Sequence, residues 1–105
     1  MITARFFKRD GLYCGFIVSG HAGTDVYGKD IVCAGVSSAV MLAINTITDF
    51  FCADAVVKDK GNKIGLKLIC PENDTPSRGM IYSLKKHLEL LAEENGSITV
   101  LVTDC

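Results

Sequence analysis

The stretch between residues 20 and 38 contains the residue types that thiol chemistry requires. Cys33 follows His21 by 12 positions, and Asp30 lies three positions before the cysteine. A cysteine thiolate attacks carbonyl carbons, and a neighbouring histidine can form an ion pair with it and later protonate the leaving amine. The residue types therefore indicate a Cys33–His21 pair as the candidate catalytic group.

The predicted position of Cys33 at the start of a helix supports this chemistry. A long apolar pattern over residues 31–51 predicts a helix, and Asp30 is its natural N-cap. Cys33 is then the third helical residue, where unpaired backbone N–H groups and the positive end of the helix dipole favour the thiolate. The same residues also fit a purely structural role, in which Cys33 is a small buried side chain and backbone groups satisfy His21.

Two further residues have a double interpretation. Ser37 lies one helical turn after Cys33, where it orients substrate or thiolate, or simply fills space in a packed helix. Asp30 stabilises the helix as a cap and could also orient His21, as the third member of a catalytic triad does. Asp25 is a weaker alternative for that orienting role.

Composition excludes several other classes of protein. The 105 residues fit one domain, 1–105, and with 49% hydrophobic residues the chain can bury a core without staples. The 11 basic and 12 acidic residues give a net charge of −1, which argues against a nucleic-acid-binding protein. Neither an export signal nor a membrane-spanning run is visible. We therefore expect a cytoplasmic protein that binds neither membranes nor nucleic acids.

The cysteines do not form a disulfide or metal pattern. Their number is odd, none form a C-x-x-C pair, and reduced thiols are expected: Cys14, Cys33, Cys52, Cys70 and Cys105. Cys14 and Cys70 alternate with apolar strand residues and are predicted to be buried. A thiol or metal site built from Cys14, His21 and Cys33 is an alternative, but it lacks the closely spaced ligand pairs of zinc sites. We expect no metal and no cofactor.

The remaining patterns predict an α+β fold with the order ββαββαβ. Apolar alternation predicts strands at residues 2–8, 12–19, 54–59 and 63–70, and a closing strand that contains Ile98, Val100 and Val102. Thr75 as N-cap and Pro76 as first residue begin a second helix, which Asn95-Gly96 ends. His87 lies on its polar flank and is predicted to be a surface residue. This order implies a two-layer sandwich, with a mostly antiparallel sheet and two helices packed on it.

Two sequence blocks resemble the signature of the bacterial ribosomal-processing cysteine proteases. They are G-H-A at residues 20–22 and D-I-V-C-A-G-x-S at residues 30–37. On this resemblance the family's catalytic histidine and cysteine fall on His21 and Cys33. Its aspartate, serine and glycine fall on Asp30, Ser37 and Gly20.

The resemblance implies a narrow activity. Such enzymes remove a short N-terminal extension from a large-subunit ribosomal protein, cutting after an aromatic pair, and act as cytoplasmic homodimers. The chain is then a cysteine endopeptidase whose partner is a ribosomal protein precursor. The alternative is a ribosome-associated binding module without catalysis, which leaves the placement of Cys33 and His21 unexplained.

Overall fold

The computed structural model describes residues 1–20 and 29–104, with the side chains of residues 29–31 and 33 outside the description. Within these ranges the chain forms five strands and two α-helices in the predicted order ββαββαβ. The elements are β1 (Ile2–Arg9), β2 (Leu12–Ser19), α1 (Lys29–Asn45), β3 (Ala55–Lys60), β4 (Lys63–Leu68), α2 (Thr75–Glu94) and β5 (Ile98–Asp104). A π-helical turn (Thr46–Phe50) follows α1, and a 3-10 turn (Pro71–Asn73) precedes α2.

The strands form one mixed sheet in the order β3-β4-β2-β1-β5. All neighbours are antiparallel except β1 and β5, which are parallel. The hairpin between β1 and β2 is closed by Asp10 and Gly11, whose φ angles are 55° and 79°. Positive φ at both turn residues matches the twist of the flanking strands, which is why the D-G pair predicts this hairpin correctly.

Both helices lie on the same face of the sheet and enclose the core with it. On β1 the buried residues Ile2, Ala4 and Phe6 alternate with outward positions, as a sheet with one covered face requires. Residues from both helices, the π-helical turn and three further strands complete one apolar cluster: Phe16, Val18, Val36, Val40, Ala43, Ile44, Ile47, Leu66, Leu68, Ile81, Leu84, Leu88 and Ile98. Each large side chain so buried stabilises the fold by about 1.5–3 kcal/mol relative to exposure.

The helix predicted over residues 31–51 differs from the observed one at both ends. It begins earlier, at Lys29, and its α-helical part ends at Asn45. The hydroxyls of Thr46 and Thr48 donate to the carbonyls of Leu42 and Ile44, at 2.8 and 2.9 Å, and such bonds compete with the helical ladder. The ladder then widens to a π-helical turn, which the left-handed residue Cys52 (φ 51°) follows.

The start of α2 corrects the predicted cap. Asp74, not Thr75, is the N-cap, and its Oδ1 accepts a hydrogen bond from the backbone N–H of Ser77 at 3.0 Å. Aspartate caps helices better than threonine, so the chain begins the helix one residue earlier. The guanidinium of Arg78 donates to the carbonyl of Pro71 and to the hydroxyl of Thr75. This helix start is therefore fixed by local side-chain contacts.

An ion pair on α2 lies beside two tyrosines. Lys85 Nζ is 3.2 Å from the Glu89 carboxylate, one turn along the helix. Burial lowers the pKa of Lys85, but the hydrogen bond to Glu89 and the nearby Tyr13 and Tyr82 outweigh it, so the pKa lies above its ordinary value. The ion pair lies within α2, and the rings of Tyr13 and Tyr82, with centroids 5.9 Å apart, join this side of α2 to β2.

The two strand cysteines differ from each other. Cys14 is buried, as predicted, at a β-bulge where the register of β1 and β2 shifts after Phe7. Cys70 is exposed, so the prediction that it is buried was wrong. Strand β4 ends at Leu68, because Pro71 cannot donate to a sheet ladder and starts a 3-10 turn instead.

Candidate active site

Cys33 lies near the start of α1, although not at the position that the sequence predicted. Because α1 begins at Lys29, Cys33 is its fifth residue rather than its third, and Asp30 is its second residue rather than its N-cap. Lysine has a higher helix propensity than aspartate, so nothing prevents residue 29 from joining the helix. An acidic residue in the first turn still lies at the positive end of the helix dipole.

Gly20 follows the last residue of β2, immediately before His21, and needs to be glycine for two reasons. Its φ of 85° is in the left-handed region, and a Cβ there would overlap the carbonyl oxygen of Met1. Its backbone N–H donates to the carbonyl of Asn62 at 3.3 Å. The backbone before His21 is thus held against the turn between β3 and β4.

A cavity of about 180 Å³ lies between β2, α1 and the β3–β4 turn. Its lining includes Ser37, one helical turn after Cys33, and Val18 near the end of β2. The other lining residues are Val36, Val40, Met41, Asp59, Gly61, Lys63 and Ile64. The cavity is largely apolar, with one carboxylate and one ammonium from the hairpin at its edge.

The structure therefore describes some of the candidate residues in full, some by their backbone alone, and others not at all. Gly20 and Ser37 are described in full, and Cys33 and Asp30 are placed by their backbone within the first turns of α1. His21 lies outside the described residues, as does Asp25. What the structure adds is that Val18 of β2 and Val36 and Ser37 of α1 line the same cavity.

The sequence did not identify the β3–β4 hairpin as a border of this site. Asp59, Gly61 and Lys63 line the cavity, and Asn62 contacts Gly20. These residues are more than 35 positions from Gly20 along the chain. Their proximity depends on the pairing of β2 with β4, for which no local pattern exists.

The alternative thiol or metal site gains no support from the described residues. Among residues 1–20 and 29–104, apart from the side chains outside the description, no three His, Cys, Asp or Glu side chains could hold a metal ion together. Cys14 lines a second, larger concavity of about 600 Å³, in which neither Ser37 nor Val36 takes part. In the described part of the chain, no helix is long and apolar enough to cross a bilayer.

Comparison with known protein families identifies the family of this chain. The family model for the cysteine protease Prp matches residues 1–99, nearly the whole chain. The chain belongs to the Prp family of cysteine proteases. A search of the curated proteins finds no match to the sequence.

Solved structures agree with the Prp fold. SMU.848 from Streptococcus mutans is 26% identical, with a TM-score of 0.89, over 100% of this chain and 96% of that one. The essential ribosomal processing protease Prp from S. aureus, in complex with a covalently linked product peptide, is 25% identical. It has a TM-score of 0.86, over 98% of this chain and 100% of that one. The same protease in complex with a substrate peptide is 23% identical, with a TM-score of 0.85 over 100% of both chains.

These matches confirm the predicted family and the predicted two-layer fold. The chain is a cysteine protease of the Prp family, and it is similar in structure to the ribosomal processing protease of S. aureus. The order ββαββαβ, with its mostly antiparallel sheet, is that of the Prp structures.

Proposed function

We propose that this protein is a cysteine endopeptidase that removes the short N-terminal extension of a large-subunit ribosomal protein. Cys33 is the nucleophile and His21 is the general base. The bond that is cut follows an aromatic residue. The reaction needs no metal and no cofactor, and the substrate is the ribosomal protein precursor.

One observation carries the proposal. Val18, near the end of the strand that precedes His21, and Ser37, one helical turn after Cys33 on α1, line one cavity. Gly20, the last described residue before His21, is held by Asn62 on the border of the same region. Gly20 of the first block of the family motif and Ser37 of the second therefore both lie near the β3–β4 turn, which supports a catalytic pair at this place.

The reaction has two steps. The thiolate of Cys33 attacks the carbonyl carbon of the scissile bond, and the protonated His21 donates a proton to the leaving amine. Water, deprotonated by His21, then hydrolyses the thioester and regenerates the thiolate. Backbone N–H groups of the first turn of α1, which have no partner within the helix, are the donors for the oxyanion.

The supporting residues have separate roles. Asp30, in the first turn of α1, stabilises the charged form of His21 and the helix start. Ser37 lies in the cavity wall one turn from Cys33 and contacts the substrate. Gly20 allows the left-handed backbone that directs the chain into His21.

Mass measurement on the natural substrate tests the proposal. The purified protein is incubated with the unprocessed ribosomal protein precursor of the same organism, and both products are weighed by intact mass spectrometry. We expect loss of a short N-terminal peptide that ends in an aromatic residue. Cys33→Ala should abolish the cleavage, because it removes the nucleophile from a helix that tolerates alanine.

The exposed cysteines supply the matched controls. Cys52→Ala and Cys70→Ala remove thiols that lie outside the cavity, and both variants should cleave at the wild-type rate. Cleavage by Cys33→Ala at the wild-type rate would exclude Cys33 as the nucleophile. A product that starts elsewhere would exclude the aromatic specificity while leaving the protease assignment intact.

We also propose that the chain is a single domain, 1–105, that acts in the cytoplasm as a homodimer. One continuous apolar cluster joins β1, β2, β4, β5 and both helices, which supports one folding unit. Sedimentation equilibrium tests the dimer, and cell fractionation tests the location. A monomer at micromolar concentration would contradict the oligomeric state without affecting the chemistry.

A further inference from the structure

The helices cover one face of the sheet, and the other face is open. We call this second surface the open face and define it by the outward residues around the larger concavity, of about 600 Å³: Phe7, Gly15, Ile17, Val56, Gly65 and Ile69. These residues alternate with, or pair beside, positions that are buried under the helices. The concavity crosses β3, β4 and β2 on the side that neither helix covers.

The charged residues that line the concavity have one sign. Lys58, Lys60, Lys63 and Lys67 all border the concavity, and all are exposed. Arg5 is the outward residue between the buried Ala4 and Phe6 on β1, so it extends the same surface. Because the chain as a whole has a net charge of −1, a basic cluster of this size shows that basic and acidic residues lie on different surfaces.

The acidic strand residues lie on the opposite face. Asp59 pairs with Ile64, which packs against the core, and Asp104 pairs with Lys8. The Lys8 ammonium is 5.0 Å from the centre of the Tyr13 ring, which is on the helix side. No outward position in the described strands is acidic. The net charge of the chain does not reveal this separation, because the basic charges on one face and the acidic charges on the other cancel in the sum.

The floor between the lysines is apolar and accessible. Ile17, Val56 and Ile69 are 42%, 44% and 43% exposed. Three such side chains within one concavity form an apolar patch of the kind that marks interaction sites. Their exposure costs the isolated protein free energy that a bound partner would recover.

Gly15 and Gly65 leave the centre of the concavity without side chains. A Cβ at Gly15 would come within 2.5 Å of the Leu66 carbonyl oxygen, and one at Gly65 within 2.8 Å of the Phe16 oxygen. Side chains are therefore excluded from the centre of the floor. A partner can approach the β2 and β4 backbones there while the lysine side chains extend around it.

We propose that the open face binds an acidic amphipathic segment of another protein. Apolar side chains of the segment cover Ile17, Val56 and Ile69, and its carboxylates lie against the lysines around the concavity. Apolar anchors in a groove with opposite charges at the rim are a common mode of segment recognition. The binding is separate from the proposed cleavage chemistry, because Ile17, Val56 and Ile69 line the open-face concavity and not the cavity beside α1, while only Lys63 and Ile64 border both.

The same observations disfavour two other occupants. A second copy stacked face to face would bring lysines against lysines, with no acidic strand residue between them. A single-stranded nucleic acid would match the charge, but such ligands stack their bases on aromatic side chains. The concavity has only Phe7 and the buried Phe16 as aromatic residues, and Phe7 is half-buried.

Fluorescence anisotropy with designed peptides tests the proposal. The probe is a labelled helical peptide of about 14 residues (about 21 Å long), with leucine on one face and glutamate elsewhere. A second peptide has lysine in place of glutamate, and a third is a scrambled form of the first. We expect the full-length protein to bind only the first peptide, with an affinity that falls as salt rises.

Variants locate the binding. The double variant Lys58→Glu/Lys67→Glu should lower the affinity for the acidic peptide by about tenfold or more. Ile17→Thr should also lower this affinity, without a change in the charge of the protein. Lys86→Glu, an exposed lysine of α2 on the other side of the molecule, is the matched control and should bind as the wild type does. If the double reversal lowers the melting temperature, Lys58→Gln with Lys67→Gln replaces it.

Each of four results would overturn the proposal. They are no binding of the acidic peptide at about 100 μM, equal binding of the lysine peptide, tighter binding of an oligouridylate, and a homodimer whose dissociation constant changes in the Lys58→Glu/Lys67→Glu variant. The third result would identify a nucleic-acid surface, and the fourth an interface between copies. Cleavage of a short substrate peptide should be unchanged in all these variants, so failure here is distinct from failure of the protease assignment.

Discussion

The two helices lie side by side on one sheet, yet they begin in different ways. α2 starts with Asp74 bound to the N–H of Ser77, a proline in its first turn, and Arg78 bound to Pro71. α1 starts after a glycine-containing segment and contains Cys33 in its first turns. The start of α2 contributes stability, whereas the start of α1 contributes the residues of the proposed chemistry.

The outer sides of the helices differ as well. α2 buries Ile81, Leu84 and Leu88 and turns mostly polar residues outward. α1 leaves Met41 and Leu42 44% and 64% exposed. A helix whose sequence is determined only by packing has one apolar side. α2 leaves Tyr82 and Leu90 47% and 54% exposed, but of these exposed apolar residues only Met41 of α1 lines the cavity.

The largest expected effect distinguishes the two histidines. His21→Ala should lower the rate of precursor cleavage by about 100-fold or more, because the thiol loses its base, while the melting temperature stays unchanged. His87→Ala on the exposed side of α2 is the control and should retain full activity. Equal activity of the two variants, measured by product mass over time, would remove the functional distinction between the helices.

The second prediction concerns stability alone. Leu88→Ala on α2 should lower the free energy of unfolding by about 2–5 kcal/mol, because the side chain is fully buried and a cavity remains. Leu90→Ala, at a position that is 54% exposed, should lower the free energy of unfolding much less. Urea unfolding measures both. Cleavage per folded molecule should be unchanged, and a loss of intrinsic activity in Leu88→Ala would show that α2 also shapes the site.

The third prediction compares thiols. At pH 7, Cys33 should react with iodoacetamide about tenfold faster than Cys52 or Cys70, since a helix start and a histidine favour the thiolate. Cys52 and Cys70 are exposed, so access alone does not explain a faster Cys33. Mass mapping after brief labelling gives the rates. The His21→Ala variant should slow labelling at Cys33 only, and an unchanged Cys33 rate there would contradict the ion pair.

The smallest expected effect separates two aspartates at helix starts. Asp74→Ala should lower the free energy of unfolding by about 1 kcal/mol and leave cleavage intact, because it removes the cap of α2. Asp30→Asn should reduce cleavage with a stability change of about 0.3–1 kcal/mol, because it removes a charge proposed to act on His21. Stability and cleavage are measured on the same preparations. Full activity in Asp30→Asn would leave that residue a purely structural role.

Local patterns in the sequence predicted the elements well where neighbours along the chain decide the structure. The Asp10-Gly11 turn and the apolar stripe of α2 are examples. The errors occurred where two nearby signals compete. Asp74 outcompetes Thr75 as a cap, Lys29 extends α1 past Asp30, and Pro71 ends the strand before Cys70. In the two helix cases the difference between the local choices is about 1 kcal/mol or less.

The sequence by itself determined the family and the candidate catalytic pair, because the motif around His21 and Cys33 is continuous along the chain. It also determined the order of the elements, which depends on contacts between near neighbours. Only the tertiary structure decided that the β3–β4 turn borders the cavity and that the basic side chains gather on the open face. Both features depend on β4 pairing with β2, a contact between residues about 50 positions apart. Such pairing reflects the burial of the whole core, which no local pattern contains.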